Sequence, residues 1–236
     1  MLRAILIAGG FLFVMLATKS KAAPKTIAER LAEFGEPVRG RLEPKFRAAG
    51  VSYPPKRVTL IGIKQDRTLE VHAAGADNLM RYICTYPVLA ASGTLGPKLR
   101  EGDRQVPEGI YRVESLNPNS RFHLSLKLDY PNAFDRAKGL AEKRTRLGGL
   151  IMIHGEAVSI GCLAMGNPAA EDLFVLAART GIENLTVILA PVDFRHESLA
   201  ELPTGSPVWT QQLYQQIKRE LLRYPRRDLL HDEEAR

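Results

Sequence analysis

From Arg57 onward the chain alternates short runs of β-branched and apolar residues with turn residues: RVTLIGIK, a polar turn at Gln65-Asp66-Arg67, TLEVHAA, then LMRYICTYPVLA. Runs of this length, rich in Val, Ile, Thr and Tyr and bounded by polar or Gly/Pro clusters, read as strands. IYRVESL, FHLSLKLDY, GGLIMIHG and LTVILAPV continue the pattern. Residues 56–192 are therefore expected to form a mainly β, α+β domain. One helix interrupts it: Asn167 is the expected N-cap, Pro168 suits the first helical position, Arg179 lies in the last turn and Gly181 closes it. The flanks carry helical spacing instead. Ile27, Leu31 and Phe34 predict one or two short helices in a segment 23–55, cut at Gly35-Glu36-Pro37. A C-terminal extension, 193–236, holds an amphipathic helix between Pro207 and Tyr224.

Ahead of these elements, MLRAILIAGGFLFVMLATKSKAA places a basic Arg3 before an uncharged apolar run that ends in small residues. Residues 1–22 read as a secretory signal peptide cleaved after Ala22, the run being shorter than a spanning helix requires. Contact with the membrane follows only if that segment is retained as an anchor. The formal charge of +7 includes Arg3, Lys19 and Lys21, so the remainder is mildly basic. Its basic residues are scattered apart from KRELLRYPRR, a pattern that gives no footprint for nucleic acid. No Walker loop, no G-x-G-x-x-G after a strand, no H-E-x-x-H and no paired C-x-x-C occurs. No metal or organic cofactor is expected.

An exported chain with two cysteines, Cys84 and Cys162, raises a disulfide first. Their surroundings differ, however. Cys84 sits inside a strand-like run, whereas Cys162 sits in the turn Ser-Ile-Gly-Cys, eight positions after His154-Gly155. The preferred reading is an inert Cys84 and a functional Cys162; the alternative is a bridge between them. Cysteine attacks as the thiolate and needs a base beside it. His154, at the end of an apolar strand, is the candidate general base and acid, and a loop of this length can return Cys162 to it. Gly161 lets the chain turn sharply, and the N–H groups of Gly161 and Cys162 are candidate oxyanion donors.

His-Gly followed by Ser-x-Gly-Cys, after an export signal, resembles the motif of the L,D-transpeptidases, the YkuD-type cysteine enzymes of bacterial peptidoglycan. REGDRQVPEGIYRV resembles the segment that precedes the active site in that family, and NPNSRFHLSLKLDYPNAFD is similar to the YafK-like branch in particular. The resemblance covers residues 56–192 and implies a YkuD-like β-sandwich with Cys162 in a cleft. It implies Cys162 as the acyl-accepting nucleophile, His154 as general base, and the Gly155 carbonyl as the group that orients the imidazole. Ser159, His123, Tyr130 and Asn132 are the implied substrate-binding positions. The larger family has His and Arg where this chain has Ile160 and Ala164, and the YafK-like branch shares the apolar form. The implied setting is the periplasm, with peptidoglycan stem peptides as partners. Alternatives are a hydrolase that detaches a peptidoglycan-linked lipoprotein, and a non-catalytic wall-binding module with a Cys84–Cys162 disulfide.

Overall fold

Strands β1 (Val58–Ile63) and β9 (Leu185–Ala190) pair in parallel at the middle of the near half of the sheet, and almost every residue in them is buried. Continuous apolar runs of this kind suit a strand covered on both faces. Leu60, Val187 and Leu189 enter one core, while Ile61, Ile63, Ile188 and Ala190 enter a second. The structure, a computed structural model, describes residues 23–198 and 201–225. The expected signal peptide, its cleavage site and His231 lie outside them.

β2 (Thr68–Ala74) and β3 (Met80–Pro87) extend β1 as the expected antiparallel meander. On the other side of β9 lies the twelve-residue β5 (Gly109–Ser120), which belongs to two neighbourhoods. Gly109–Arg112 pairs with β9, and Val113–Ser120 pairs with β6 (His123–Leu128). Beyond β6 come β7 (Met152–His154), β8 (Leu163–Ala164) and β4 (Ala90–Ala91), giving one nine-stranded mixed sheet in the order β3-β2-β1-β9-β5-β6-β7-β8-β4. Both halves contribute to one shared core, so the expected mainly β, α+β fold is the one observed, with β5 making the two halves continuous.

Helices cover the faces. α3 (Asn167–Thr180) places Leu173, Phe174, Leu176 and Ala177 in the shared core. α4 (Thr210–Leu221) lays Leu213, Tyr214, Ile217 and Leu221 on the second core against Ile61 and Ile188. The segment Pro107-Glu108-Gly109 is a structural knot. Buried Glu108 accepts hydrogen bonds from Lys64 Nζ (2.8 Å), the Gly96 N–H (2.7 Å) and the Tyr214 hydroxyl (2.7 Å), so it ties the residue after β1, a loop, the start of β5 and α4 together.

Three expectations need correction. Residues 27–48 form a single helix, α1 (Ile27–Ala48), that runs through Gly35, Pro37 and Pro44. An interior proline costs about 3 kcal/mol. Here Gly35, Val38, Leu42 and Phe46 make a buried stripe, and a Thr26/Glu29 capping box fixes the start. Gly35 admits close approach of α3, since a Cβ there would lie 2.7 Å from Arg179 Nη2. Second, the β region holds a further helix, α2 (Ala133–Ala141), capped reciprocally by Asn132 and Asp135. Third, the N-cap of α3 is Gly166 rather than Asn167, whose side chain is drawn away to accept the Glu156 N–H at 2.9 Å.

Candidate active site

β7 and β8 run parallel in the register Ile153↔Leu163 and His154↔Ala164. Side chains alternate across a sheet. Ile153 and Leu163 point into the shared core, which puts His154, and Cys162 one position before Leu163, on the opposite face. The Met165 N–H donates to the His154 carbonyl (2.8 Å) and closes the register. β7 is confined to Met152–His154, so residues 148–151 of the expected strand lie outside it, with the Leu150 carbonyl against Cys162 Sγ.

The imidazole has one assignable tautomer. His154 Nδ1 lies 2.6 Å from the Gly155 carbonyl, which can only accept, so Nδ1 carries the proton and Nε2 the lone pair. Phe122 stacks on the ring, centroids 4.7 Å apart at 26°. Burial pulls the His154 pKa below its ordinary 6.5, outweighing the Gly155 hydrogen bond and the Glu156 charge that push the other way. The ring is therefore a neutral base at neutral pH. Gly155 is sterically required: a Cβ would lie 2.6 Å from Asn167 Oδ1 and 2.8 Å from the Phe122 carbonyl, which accepts the Gly155 N–H at 3.0 Å.

The Cys162 thiol faces the Leu150 carbonyl at 3.6 Å. Burial raises its pKa above 9.0, while a hydrogen bond from the Met152 backbone and the charge of Lys98 work to lower it. Both groups are thus neutral at neutral pH, one a thiol and the other an imidazole with a free lone pair. Cys84 lies in β3, and its thiol is also pushed up by burial. Both cysteines are free and sit near opposite ends of the strand order, which overturns the alternative of a bridge between them.

The expected oxyanion donors are engaged. The Gly161 N–H donates to Ser92 Oγ (2.6 Å) and the Cys162 N–H to Ser159 Oγ (3.1 Å). Each hydroxyl donates onward, Ser92 to the Arg104 carbonyl (2.8 Å) and Ser159 to the Cys162 carbonyl (2.7 Å). Gly161 has φ +103° and packs so closely on the loop that a Cβ would lie 3.3 Å from the Gln105 carbonyl. Ser159 is therefore at the nucleophile turn, as a brace for it.

Of the other expected residues, His123 flanks Gly155, but its Nε2 pairs with Glu171 (2.9 Å) and its ring meets Phe34 edge-on. Tyr130 is buried and donates to the Leu147 (3.1 Å) and Lys98 (3.3 Å) carbonyls. Asn132 caps α2 and donates to the Ile110 carbonyl (3.0 Å). All three are committed to protein partners. Sequence reasoning missed Ser92, Phe122 and Asn167, which carry no chemistry of their own and act only through neighbours distant in the chain. Among the described residues no group of three or more His, Cys, Asp and Glu converges as for a metal ion, and no helix is long and apolar enough to cross a membrane.

Residues 57–208 match the family model of the L,D-transpeptidase catalytic domain, YkuD. YafK of Escherichia coli (strain K12) is 39% identical over 113 residues, which cover 47% of this chain and 43% of that protein; the aligned stretch spans less than half of either. Among solved structures, the helical cell shape determining protein Pgp2 of Campylobacter jejuni aligns over 84% of this chain and 77% of its own at 17% identity, TM-score 0.48. L,D-transpeptidase 1 of Mycobacterium tuberculosis aligns over 57% and 62% at 14% identity, TM-score 0.32.

Proposed function

The chain belongs to the YkuD family of L,D-transpeptidase catalytic domains, and from that premise we propose that it is an exported, periplasmic cysteine enzyme that forms an acyl-enzyme on peptidoglycan stem peptides. The observation that supports the reading is that the sheet register sets a free Cys162 on the same face as a neutral His154 whose Nδ1–H is fixed on the Gly155 carbonyl. That carbonyl does for the imidazole what a carboxylate does in a Ser-His-Asp triad.

In the first half-reaction His154 Nε2 takes the thiol proton as Sγ attacks the carbonyl carbon of the donor peptide. The tetrahedral oxyanion collapses, the bond to the leaving amine breaks, and the imidazolium returns its proton to that amine, leaving a thioester on Cys162. The Gly161 and Cys162 N–H groups serve the oxyanion when the Ser92 and Ser159 hydroxyls turn aside; each hydroxyl keeps a backbone carbonyl to donate to. In the second half-reaction an acceptor attacks the thioester, His154 takes the acceptor's proton, and the departing sulfur recovers it. A stem-peptide amine gives a cross-link, and water gives hydrolysis.

Incubation of the protein with intact sacculi, followed by mass spectrometry of muropeptides and of the enzyme, tests this directly. We expect an acyl adduct on Cys162, lost in Cys162→Ala and kept in Cys84→Ala, and new or cleaved muropeptides that reveal the acceptor. Equal turnover by Cys162→Ala overturns the assignment.

A further inference from the structure

A cavity of about 710 Å³ opens beside the nucleophile turn and shares two walls with it, Leu150 and Ile160. Leu150 supplies the carbonyl facing Cys162 Sγ, and Ile160 precedes Gly161; the two residues are 68% and 78% exposed. The rest of the lining is strongly cationic: Lys98, Arg104, Arg136 and Arg146 against a single carboxylate, Glu101. Three of these cations are occupied. Lys98 pairs with Asp103, Arg146 pairs with Glu101 (2.8 Å), and Arg136 donates to the Pro131 carbonyl.

Arg104 differs from them. Its guanidinium makes no ion pair or hydrogen bond among the described residues, yet its backbone is among the most firmly held in the loop. The Asp103 carboxylate accepts the N–H groups of Leu99, Arg100 and Gln105. The Arg104 carbonyl takes the Ser92 hydroxyl, and the Gln105 side chain donates to the Thr94 and Gly96 carbonyls. Arg104 itself has φ +55°, a left-handed conformation that costs an L residue energy, and Leu150 across the cavity has the same φ. A pinned, strained backbone presenting an uncommitted guanidinium at a cavity mouth is the arrangement of a residue that binds an anion.

We propose that this cavity receives the acyl-donor peptide and that Arg104 is a specificity-determining residue that binds a free carboxylate on it. The proposal rests on the acyl-enzyme reading above and adds the donor's charge.

The test uses two synthetic donor peptides with the same scissile bond, one bearing a side-chain carboxylate and the other its primary amide. Acylation of the full chain is followed by mass spectrometry, and binding to the Cys162→Ala protein by calorimetry. We expect kcat/KM to favour the carboxylate peptide by about tenfold, the scale of one charge-assisted hydrogen bond, with the difference mainly in KM. Arg104→Asn, which tolerates a positive φ, brings the ratio near one, and Arg104→Lys keeps an intermediate ratio. Arg219→Ala, distant on α4, retains the wild-type ratio. An unchanged ratio in Arg104→Asn, or no preference in the wild type, overturns the proposal. If neither peptide acylates Cys162 but the Cys162→Ala protein still binds the carboxylate form tighter in an Arg104-dependent way, the subsite stands and the acyl-enzyme reading falls.

Discussion

Replacing Gly155 by alanine isolates the device that holds His154, the proposed base. The backbone of Gly155 is open to any residue, so the objection is steric alone. A Cβ would sit 2.6 Å from Asn167 Oδ1, 2.8 Å from the Phe122 carbonyl and 3.0 Å from His123 Cβ. Overpacking a well-filled site costs about 1–3 kcal/mol. Displacing the Asn167 side chain from the Glu156 N–H adds about 1 kcal/mol. The sum of about 2–4 kcal/mol lowers Tm by roughly 5–15 °C in a domain of this size. The same shift moves the Gly155 carbonyl that fixes Nδ1–H, and a displacement approaching 1 Å costs on the order of 10²-fold in rate. Thermal unfolding and acylation kinetics of the variant measure both. Adding Asn167→Ala relieves the nearest contact but not the backbone of Phe122, so the double variant recovers part of the stability and little of the rate. A Tm within about 1 °C of wild type together with an unchanged acylation rate would refute the reasoning.

The remaining expectations are narrower. Because burial holds His154 below 6.5 in the folded protein, the unfolded chain binds the extra proton between the folded value and 6.5. This group's contribution to stability rises with pH across that window and is lost as pH falls through it. The acid limb of kcat/KM has its midpoint below 6.5; a midpoint at or above 6.5 contradicts the assigned tautomer and burial. Asn132→Ala removes a reciprocal cap and should lower stability by about 1–2 kcal/mol in denaturant titrations, with KM for donor peptide unmoved; a raised KM returns Asn132 to substrate binding. Arg195, whose side chain is buried, joins Glu70 (2.9 Å) to Asp193 (2.6 Å), so Arg195→Met removes the cation from two buried carboxylates and leaves Glu70 only His72. It should cost about 3–5 kcal/mol, read as a shifted denaturant midpoint, and a change below about 1 kcal/mol would show the network to be dispensable.

The strand ending at His154 is visible from its apolar run, and the four candidate residues His154, Gly155, Gly161 and Cys162 stand close together in sequence. What escaped is what depends on distant partners. Pro37 reads as a break until α3 is there to reward a continuous stripe from Gly35 to Phe46. The α2 cap was present as Asn132 and Asp135, but Asn132, with Tyr130 beside it, read as a substrate-binding position. Asn167 has every mark of an N-cap and instead serves Glu156, because the nucleophile loop has an N–H to satisfy there. Ser92 lies 69 positions before the amide it accepts, and no local pattern joins the two.

The long β5 strand also divides how firmly the molecule is stitched. On its near side, β1, β2, β3 and β9 are ladders of six to eight residues; on its far side β7, β8 and β4 hold three, two and two. Local opening is cheapest where backbone pairing is thinnest, so amide protons around His154 and Cys162 should exchange with solvent well before those of β1 and β9. The part that gives first would then carry the proposed nucleophile, while the longer ladders on the other side of β5 keep the chain folded.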